Sequence, residues 1–461
     1  MKNETLQAKS LPTKQFFVSM LTRDISISDS ILDLIDNCLD GAMRSSKSKT
    51  DYSKFEINVK FSDSHFSITD NCGGIPIEIA KNYAFKMGRE RTDERDNRNE
   101  TIGMYGIGMK RAIFKMGEEA EVLTKNVKDY YKVEIKPKWL NSEEWTGLPL
   151  IKLNETSYKE KDDGTTITVT KLYKGVAKHF SNKAFLNELT NSISEHFTVF
   201  LNKGLKIKIN DVQVNPKFVE LLVAKSPKGP KPYVYEKTVN NVTFSIVVGL
   251  NTGRNTTDEE DFEEDRESAT SGWSVFCNDR AIIVGDKTRL TGWGDGIPHY
   301  HPQFSVITGI IEFRSNSAEQ LPVTTTKRAL DASSEIWLEA RTKMRDGLRL
   351  FISHTNKWKN HPKSDQSEYW KDAKSVNLKD AIDIVKSQAK LKNGILEYNP
   401  VKENVLPLPK DDKPTLKRII YSKSISEINL VSQYFYGNII KSPGEVGEKC
   451  FDIILKKAKA N

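Results

Sequence analysis

The chain has 461 residues, 37% hydrophobic and 29% charged, with a formal net charge of +8. That length allows two or three domains with ordinary cores, and no apolar run approaches the ~18 residues needed to span a bilayer. Four dispersed cysteines, Cys38, Cys72, Cys277 and Cys450, make no C-x-x-C pair, which argues against zinc or a disulfide framework and for a reducing, cytoplasmic setting.

In chain order, Met1 to Phe17 has no apolar core followed by a small-residue cleavage site, so no secretory signal is expected. A helix pattern runs through Phe16, Phe17, Met20 and Leu21, and a second through Asp33 to Gly41. The alternation Phe55 to Phe61 predicts a strand, and Ser64 to Thr69 another, leading into a turn at Asp70–Pro76. Lys86 to Thr101 is dense in charge without hydrophobic period and reads as a mobile loop. Glycines and a helix follow at Gly103–Met116, then strands near Ala120–Thr124, Tyr130–Ile135 and Asp163–Val169. Phe185 to Leu201 reads as one helix stopped by Gly204. A second region begins near Leu205, with strand-like runs at Leu205–Ile209, Val239–Val248, Trp273–Cys277, Ala281–Val284 and Phe304–Phe313. An acidic loop, Thr256 to Glu267, interrupts it, and a helix from about Ser333 to Ser353 closes it. After His354 come a polar linker, helix candidates near Leu378–Leu391 and Ser424–Tyr436, and a proline-rich loop between them. The expected domains are therefore 1–203, 204–353 and 354–461. From Phe351 to Asn461 there are 20 Lys+Arg against 13 Asp+Glu, whereas the first 350 residues hold 50 and 49. A basic tail can touch nucleic acid, but here the lysines are interspersed with acids, as on an ordinary solvated surface.

The segment Asp33-Leu34-Ile35-Asp36-Asn37-Cys38-Leu39-Asp40-Gly41 carries the first chemistry. At 100° per residue, Asp33, Asp36, Asn37 and Asp40 fall within about a third of a turn, opposite an apolar stripe. Taken alone, such a face is simply wet. Asp70-Asn71-Cys72-Gly73-Gly74-Ile75-Pro76 follows a strand: a carboxylate there can accept from an exocyclic amine while glycines admit a flat ring, although a plain turn has the same composition. Gly103-Met104-Tyr105-Gly106-Ile107-Gly108-Met109-Lys110 precedes a helix, and its N–H groups can cradle phosphate. It is neither the dinucleotide fingerprint nor a P-loop. Asp163-Gly164-Thr165 offers a small hydroxyl at a strand start and alone is only a turn.

In this order the four elements resemble the GHKL superfamily of ATPases, which includes the DNA gyrase B subunit, the ninety-kilodalton heat-shock chaperone, histidine kinases and MutL. The nearest likeness within it is to MORC-type ATPases, through Tyr105 to Lys110, Val275 to Ile282 and Leu321 to Arg328. The resemblance covers about residues 10–350 and implies an α+β fold. A Bergerat-type α/β sandwich ATPase domain would be followed by a smaller α/β transducer-like domain and a mainly helical C-terminal region of unknown role. It implies ATP and Mg²⁺ as cofactors. Asn37 would hold the metal and phosphates, Asp70 would read the adenine amine, and Gly74 would match the second glycine of that motif. Gly103, Gly106 and Gly108 would form the phosphate lid, with Thr165 supporting adenine; Ile75, Met87, Gly88, Tyr105, Ile107, Met109 and Lys110 join the implied nucleotide site. Lys327 would be the transducer lysine on the γ-phosphate.

The family's water-activating glutamate falls at Asp33, one methylene shorter, and a misplacement of about 1 Å can cost roughly 10²-fold in rate. Asp36 is the competing base. Slow turnover and a switch-like role are expected. The second departure is Cys72 in place of the motif's first glycine; the turn can form if its φ stays negative. The resemblance further implies an ATP-dependent homodimer in which Leu11–Leu21 swaps onto the partner, with DNA as the clamped object in bacterial genome maintenance or antiviral defence. The alternative is a partner-binding or chaperone-like nucleotide sensor whose C-terminal region recruits an effector protein. A histidine kinase is disfavoured, because such kinases carry this domain at the C-terminus after a histidine-bearing dimer domain.

Overall fold

The structure is a computed structural model. It describes residues 13–88, 106–154, 163–251, 271–359, 373–386, 396–398, 406 and 419–460, apart from 47, 49, 218, 225–228, 325, 326 and 438–440. The chain divides into two compact units, Met1–Pro409 and Lys410–Asn461. The fold is α+β, with large mixed sheets, covering helices and C-terminal helices.

Among the described residues of the first unit, eight strands form one sheet: β1 (Glu56–Phe61), β2 (Phe66–Asp70), β3 (Gly117–Lys125), β4 (Tyr130–Ile135), β5 (Leu150–Lys152), β6 (Gly164–Leu172), β7 (Lys206–Ile209) and β8 (Val212–Gln213), in the order β5-β4-β3-β6-β2-β1-β7-β8. All pairs are antiparallel except β1 with β7, so the sheet runs past residue 203. The alternation seen in the sequence is realised: Ile57, Val59 and Phe61 point into the core while their neighbours do not. Helices cover one face: α1 (Lys14–Arg23), α2 (Ile27–Ser45), α3 (Gly108–Met116) and α4 (Lys183–His196). Ser26 caps α2 by accepting from the Asp29 N–H at 3.0 Å. The single helix expected over 185–201 is instead two, because Phe197 (φ −109°) leaves the helical region and a short helix restarts at Thr198.

A second sheet contains β10 (Tyr233–Val239), β11 (Val242–Leu250), β12 (Gly272–Cys277), β13 (Arg280–Asp286), β14 (Ile307–Arg314) and β16 (Leu396–Tyr398), ordered β13-β12-β14-β11-β10-β16. A two-stranded pair joins β9 (Leu221–Ala224) to β15 (Ala373–Val376). The run 239–248 is thus a hairpin, turned at Asn240 and Asn241 with φ of 48° and 65°. Asn278-Asp279 turns β12 into β13 in the same way, with φ of 47° and 68°. Two positive φ values in a two-residue loop define the turn whose twist matches paired strands, and Asn and Asp tolerate it best. Helix α5 (Glu335–Trp358) packs Trp337, Met344, Leu348 and Phe351 onto this sheet. The second unit holds α6 (Ile425–Tyr436) and α7 (Pro443–Ala460). Among the described residues, no helix is long and apolar enough to cross a membrane.

Candidate functional site

The polar face of α2 is not wet. Asp33, Asp36 and Asp40 are 3%, 0% and 4% exposed, and only Asn37 among the four is open. Burying carboxylates is expensive unless cations meet them, and they are met here. An Arg111 Nη donates to Asp33 Oδ2 from α3, next to the glycine loop. Arg280, the first residue of β13, donates from Nε to Asp36 Oδ1 at 2.8 Å, and Lys327 Nζ lies 3.5 Å from Asp36 Oδ2. Both cations on Asp36 come from the second sheet and its following loop. Burial raises Asp33 above the usual carboxylate value despite Lys327 and Arg111. For Asp36 burial also pushes upward, but Arg280, Lys327 and Arg328 outweigh it and hold the carboxyl low.

A cavity of about 370 Å³ opens over this helix. Its wall includes Asp33, Asn37, Asp70, Gly74, Ile75, Gly106, Ile107, Gly108, Met109, Lys110, Thr165 and Lys327, but not Asp36. Of the other expected site residues, Gly103 and Tyr105 lie outside the described residues, as does the loop from Arg89 to Thr101. Met87 packs against the first core rather than facing the cavity, and Gly88 also stands outside its lining. The ammonium of Lys110 is taken up by main-chain carbonyls: it donates to Ala84 O at 2.9 Å and to Gly106 O. Tyr83 and Ala84 reach the cavity from a π-helical turn, Ala80–Ala84.

One end of the cavity is built on strands. Asp70 ends β2, accepts from the Cys72 N–H at 2.7 Å, and has its carboxyl raised by burial against the hydrogen bonds it receives. The left-handed backbone that the turn needs falls on Gly73 (φ 105°) and Gly74 (φ 66°), not on Cys72. A Cβ on Gly74 would sit 2.0 Å from Lys125 O, so the turn presses directly on β3. It is stapled there: Ile75 N donates to Thr124 Oγ1 at 2.8 Å, and Tyr131 OH donates to Ile75 O at 2.8 Å. Thr124 Oγ1 also lies 3.2 Å from Thr165 Oγ1, which brings Thr165 beside this turn.

The other end is assembled from loops. Helix α3 begins at Gly108 with no side-chain cap at Ile107, and its first residues, Gly108, Met109 and Lys110, line the cavity at the positive end of the helix dipole. A Cβ on Gly108 would be 3.6 Å from the Asp33 carboxyl carbon, which sets that helix start directly over the carboxylate. Lys327 holds φ of 56°, a conformation that costs a non-glycine residue energy and is typically kept where function demands it. Arg328 Nε lies 2.8 Å from Asp29 Oδ1, and its two terminal nitrogens are buried without a hydrogen-bond partner. Burial lowers that guanidinium to about 10. This end therefore offers an amide (Asn37), helix N–H groups and an ammonium, a donor set suited to phosphates. Among the described residues, no group of three or more His, Cys, Asp or Glu side chains could hold a metal by itself. A magnesium ion fits only in the manner usual for it with nucleotides, through a single protein oxygen plus phosphates and water.

Arg111, Arg280, Arg328 and Thr124 were not singled out from sequence. Neither Arg111 nor Thr124 carried a local signal: at 100° per residue Arg111 falls on the polar side of its helix, and the role of Thr124 depends on the β3–β6 register.

No curated protein matches the chain. Residues 25–166 match the family model described as histidine kinase-, DNA gyrase B-, and HSP90-like ATPase. That segment runs from the start of α2 into β6 and supplies every described wall residue named above except Lys327, so the cavity lies in the part of the chain that is similar to these ATPases.

Proposed function

We propose that the chain is an ATP-gated switch with slow hydrolysis, in which Lys327 senses the terminal phosphate. What carries this proposal is the position of Lys327: it belongs to the loop after the second sheet, yet its ammonium stands at the wall of the nucleotide-type cavity, 3.5 Å from Asp36. A cation supplied from outside the nucleotide domain can tell a triphosphate from a diphosphate. Asp70 reads the adenine amine, supported by Thr165 and Gly74. Gly106, Gly108 and the N–H groups at Met109 and Lys110 receive phosphate, while Ile75 and Ile107 pack the ends. Mg²⁺ supplies charge neutralisation when bound, and Asn37 would hold it. Asp33 is the better candidate base than Asp36, because it faces the cavity whereas both oxygens of Asp36 are engaged. Its partner Arg111 and its short side chain both favour slow turnover.

The test is steady-state ATP hydrolysis by the wild type and Asp33→Asn. A base contributes about 10²–10⁴-fold, so loss on that scale is expected; equal rates above background would remove Asp33 from the role. Asp70→Asn should abolish ATP binding in a calorimetric titration.

ATP-dependent dimerisation is supported by α1, where Phe16 and Met20 expose 60% and 47% of their surface on one side. Lys14 pins the same helix to its own chain, donating to Trp139 O at 2.7 Å. Light scattering with a nonhydrolysable ATP analogue should show a mass increase. DNA is the clamped object in this proposal. The near-neutral first 350 residues favour a second one, recruitment of an effector protein. A DNA clamp weakens steeply with salt; absence of DNA binding at low salt leaves the effector.

A further inference from the structure

Lys327 and Arg328 stand at the tip of one tight loop. A bridge between Val323 and Leu330 closes its base, Thr324 N donates to Ala329 O at 3.0 Å, and Lys327 N donates to Thr324 O at 2.9 Å. The two neighbouring cations are used unequally. Lys327 reaches Asp36 Oδ2 at 3.5 Å, the outer limit of a hydrogen bond, and lines the cavity. Arg328 does not line it. Beyond the 2.8 Å approach of Nε to Asp29 Oδ1, its buried guanidinium meets no acceptor. Unused donors on a buried cation cost free energy, so Arg328 is kept in place against that cost.

The charges around α2 account for it. Arg111 meets Asp33, Arg280 meets Asp36 and Arg328 meets Asp29, a guanidinium for each carboxylate. Asp40, a turn further on, has contacts of its own. Lys327 is then a fourth cation against three acids, and of the four it alone lines the cavity. Without Arg328 the same three carboxylates would have two guanidiniums, and the ammonium would be retained as the third cation. Arg280 cannot make up the difference. It is held by Nη1, which donates to Ala281 O at 2.6 Å, and by the Phe197 ring 4.1 Å away. Arg328 also acts on Asp36 directly, as one of three positive charges that hold that carboxyl low. Buried charges are weakly screened, so this influence needs no hydrogen bond.

We propose that Arg328 is a positioning residue that releases Lys327: its charge balances α2, so the ammonium can leave Asp36 for the terminal phosphate. This rests on the reading of Lys327 as the phosphate sensor, but its first test needs no nucleotide. In denaturant unfolding of the full chain, Lys327→Ala should be mild because Arg328 remains, and Arg328→Met mild because Lys327 remains. The double variant should raise the unfolding constant about tenfold or more beyond the product of the two singles, as expected of charges that share a partner. Additive singles overturn the inference. So does an Arg328→Met chain that unfolds by itself, since the guanidinium is then only an anchor for Asp29. The second test is titration with ATP and ADP. Arg328→Met should weaken ATP about tenfold, as when one molecule in ten has the ammonium free, and leave ADP unchanged. Arg328→Lys, which keeps the charge, should restore ATP affinity. Loss of ATP preference in Lys327→Ala but not in Arg328→Met overturns this inference alone; a preference kept by both overturns the sensor reading beneath it.

Discussion

The two ends of the cavity are made differently. The Asp70 end rests on neighbouring strands: Asp70 on β2, Thr124 on β3 and Thr165 on β6 are brought together by antiparallel register, and the turn at Gly74 is stapled to them. The Asp33–Asn37 end is imported. Arg111 comes from α3, Arg280 from β13 and Lys327 from a loop nearly three hundred residues downstream of α2. A site of the first kind recognises a ligand with little movement. A site of the second kind registers whether distant parts of the chain are in place, because its charges are balanced only when they are.

Four substitutions bear on that difference, taken from the largest expected effect to the smallest. Arg280→Ala leaves the fully buried Asp36 without its main partner, and removing one member of a buried pair costs about 3–5 kcal/mol. Denaturant unfolding should show that loss. If stability is unchanged, the two sheets are not joined by this pair. Lys327→Ala should lower ATP turnover by about 10²-fold, the scale of losing one charge-stabilising donor, and bring ATP and ADP affinities together. ADP affinity itself should hold. Thr124→Val strips the Ile75 N–H of its acceptor, at about 1–3 kcal/mol. Here ATP and ADP affinity should fall alike, by roughly tenfold or more; selective loss of ATP would mean the two ends are not separable.

The smallest effect is a pH slope. His196 Nδ1 donates to Ala281 O at 2.6 Å, and burial, then Arg280, push the imidazole well below its ordinary 6.5. The unfolded chain takes up a proton near that ordinary value while the folded chain does not. Unfolding therefore binds a proton, and stability falls as pH drops below about 6.5. His196→Gln, which keeps a donor for Ala281, should flatten melting temperature against pH between 6.5 and 5; an unchanged slope would assign the acid sensitivity elsewhere.

Legibility from sequence followed the same division. Asp70, Gly74, Thr165 and Asn37 sit in short motifs whose spacing survives any tertiary arrangement, and all four line one cavity. Lys327 lines the same cavity, but only a resemblance singled it out, since nothing local marks that lysine. Arg280 was visible as part of a strand-turn with no role attached, because its partner is 244 positions away. Motif position alone could not tell that the Lys110 ammonium bonds main-chain carbonyls while the residue lines the cavity, or that Met87 packs on the first core. Helix α7 went unseen because Pro443, Gly444 and Gly447 break its opening pattern and its charges fall on both sides of the apolar arc.

One ammonium has a consequence for chain length. Lys110 ties Ala84 O to Gly106 O, so both ends of the glycine-containing segment that spans 89–105 are held within reach of one side chain. Once a loop's ends are fixed, its closure entropy grows only logarithmically, about 0.6 kcal/mol for each doubling. The two carbonyls that Lys110 binds are therefore held close whatever the length of chain between them.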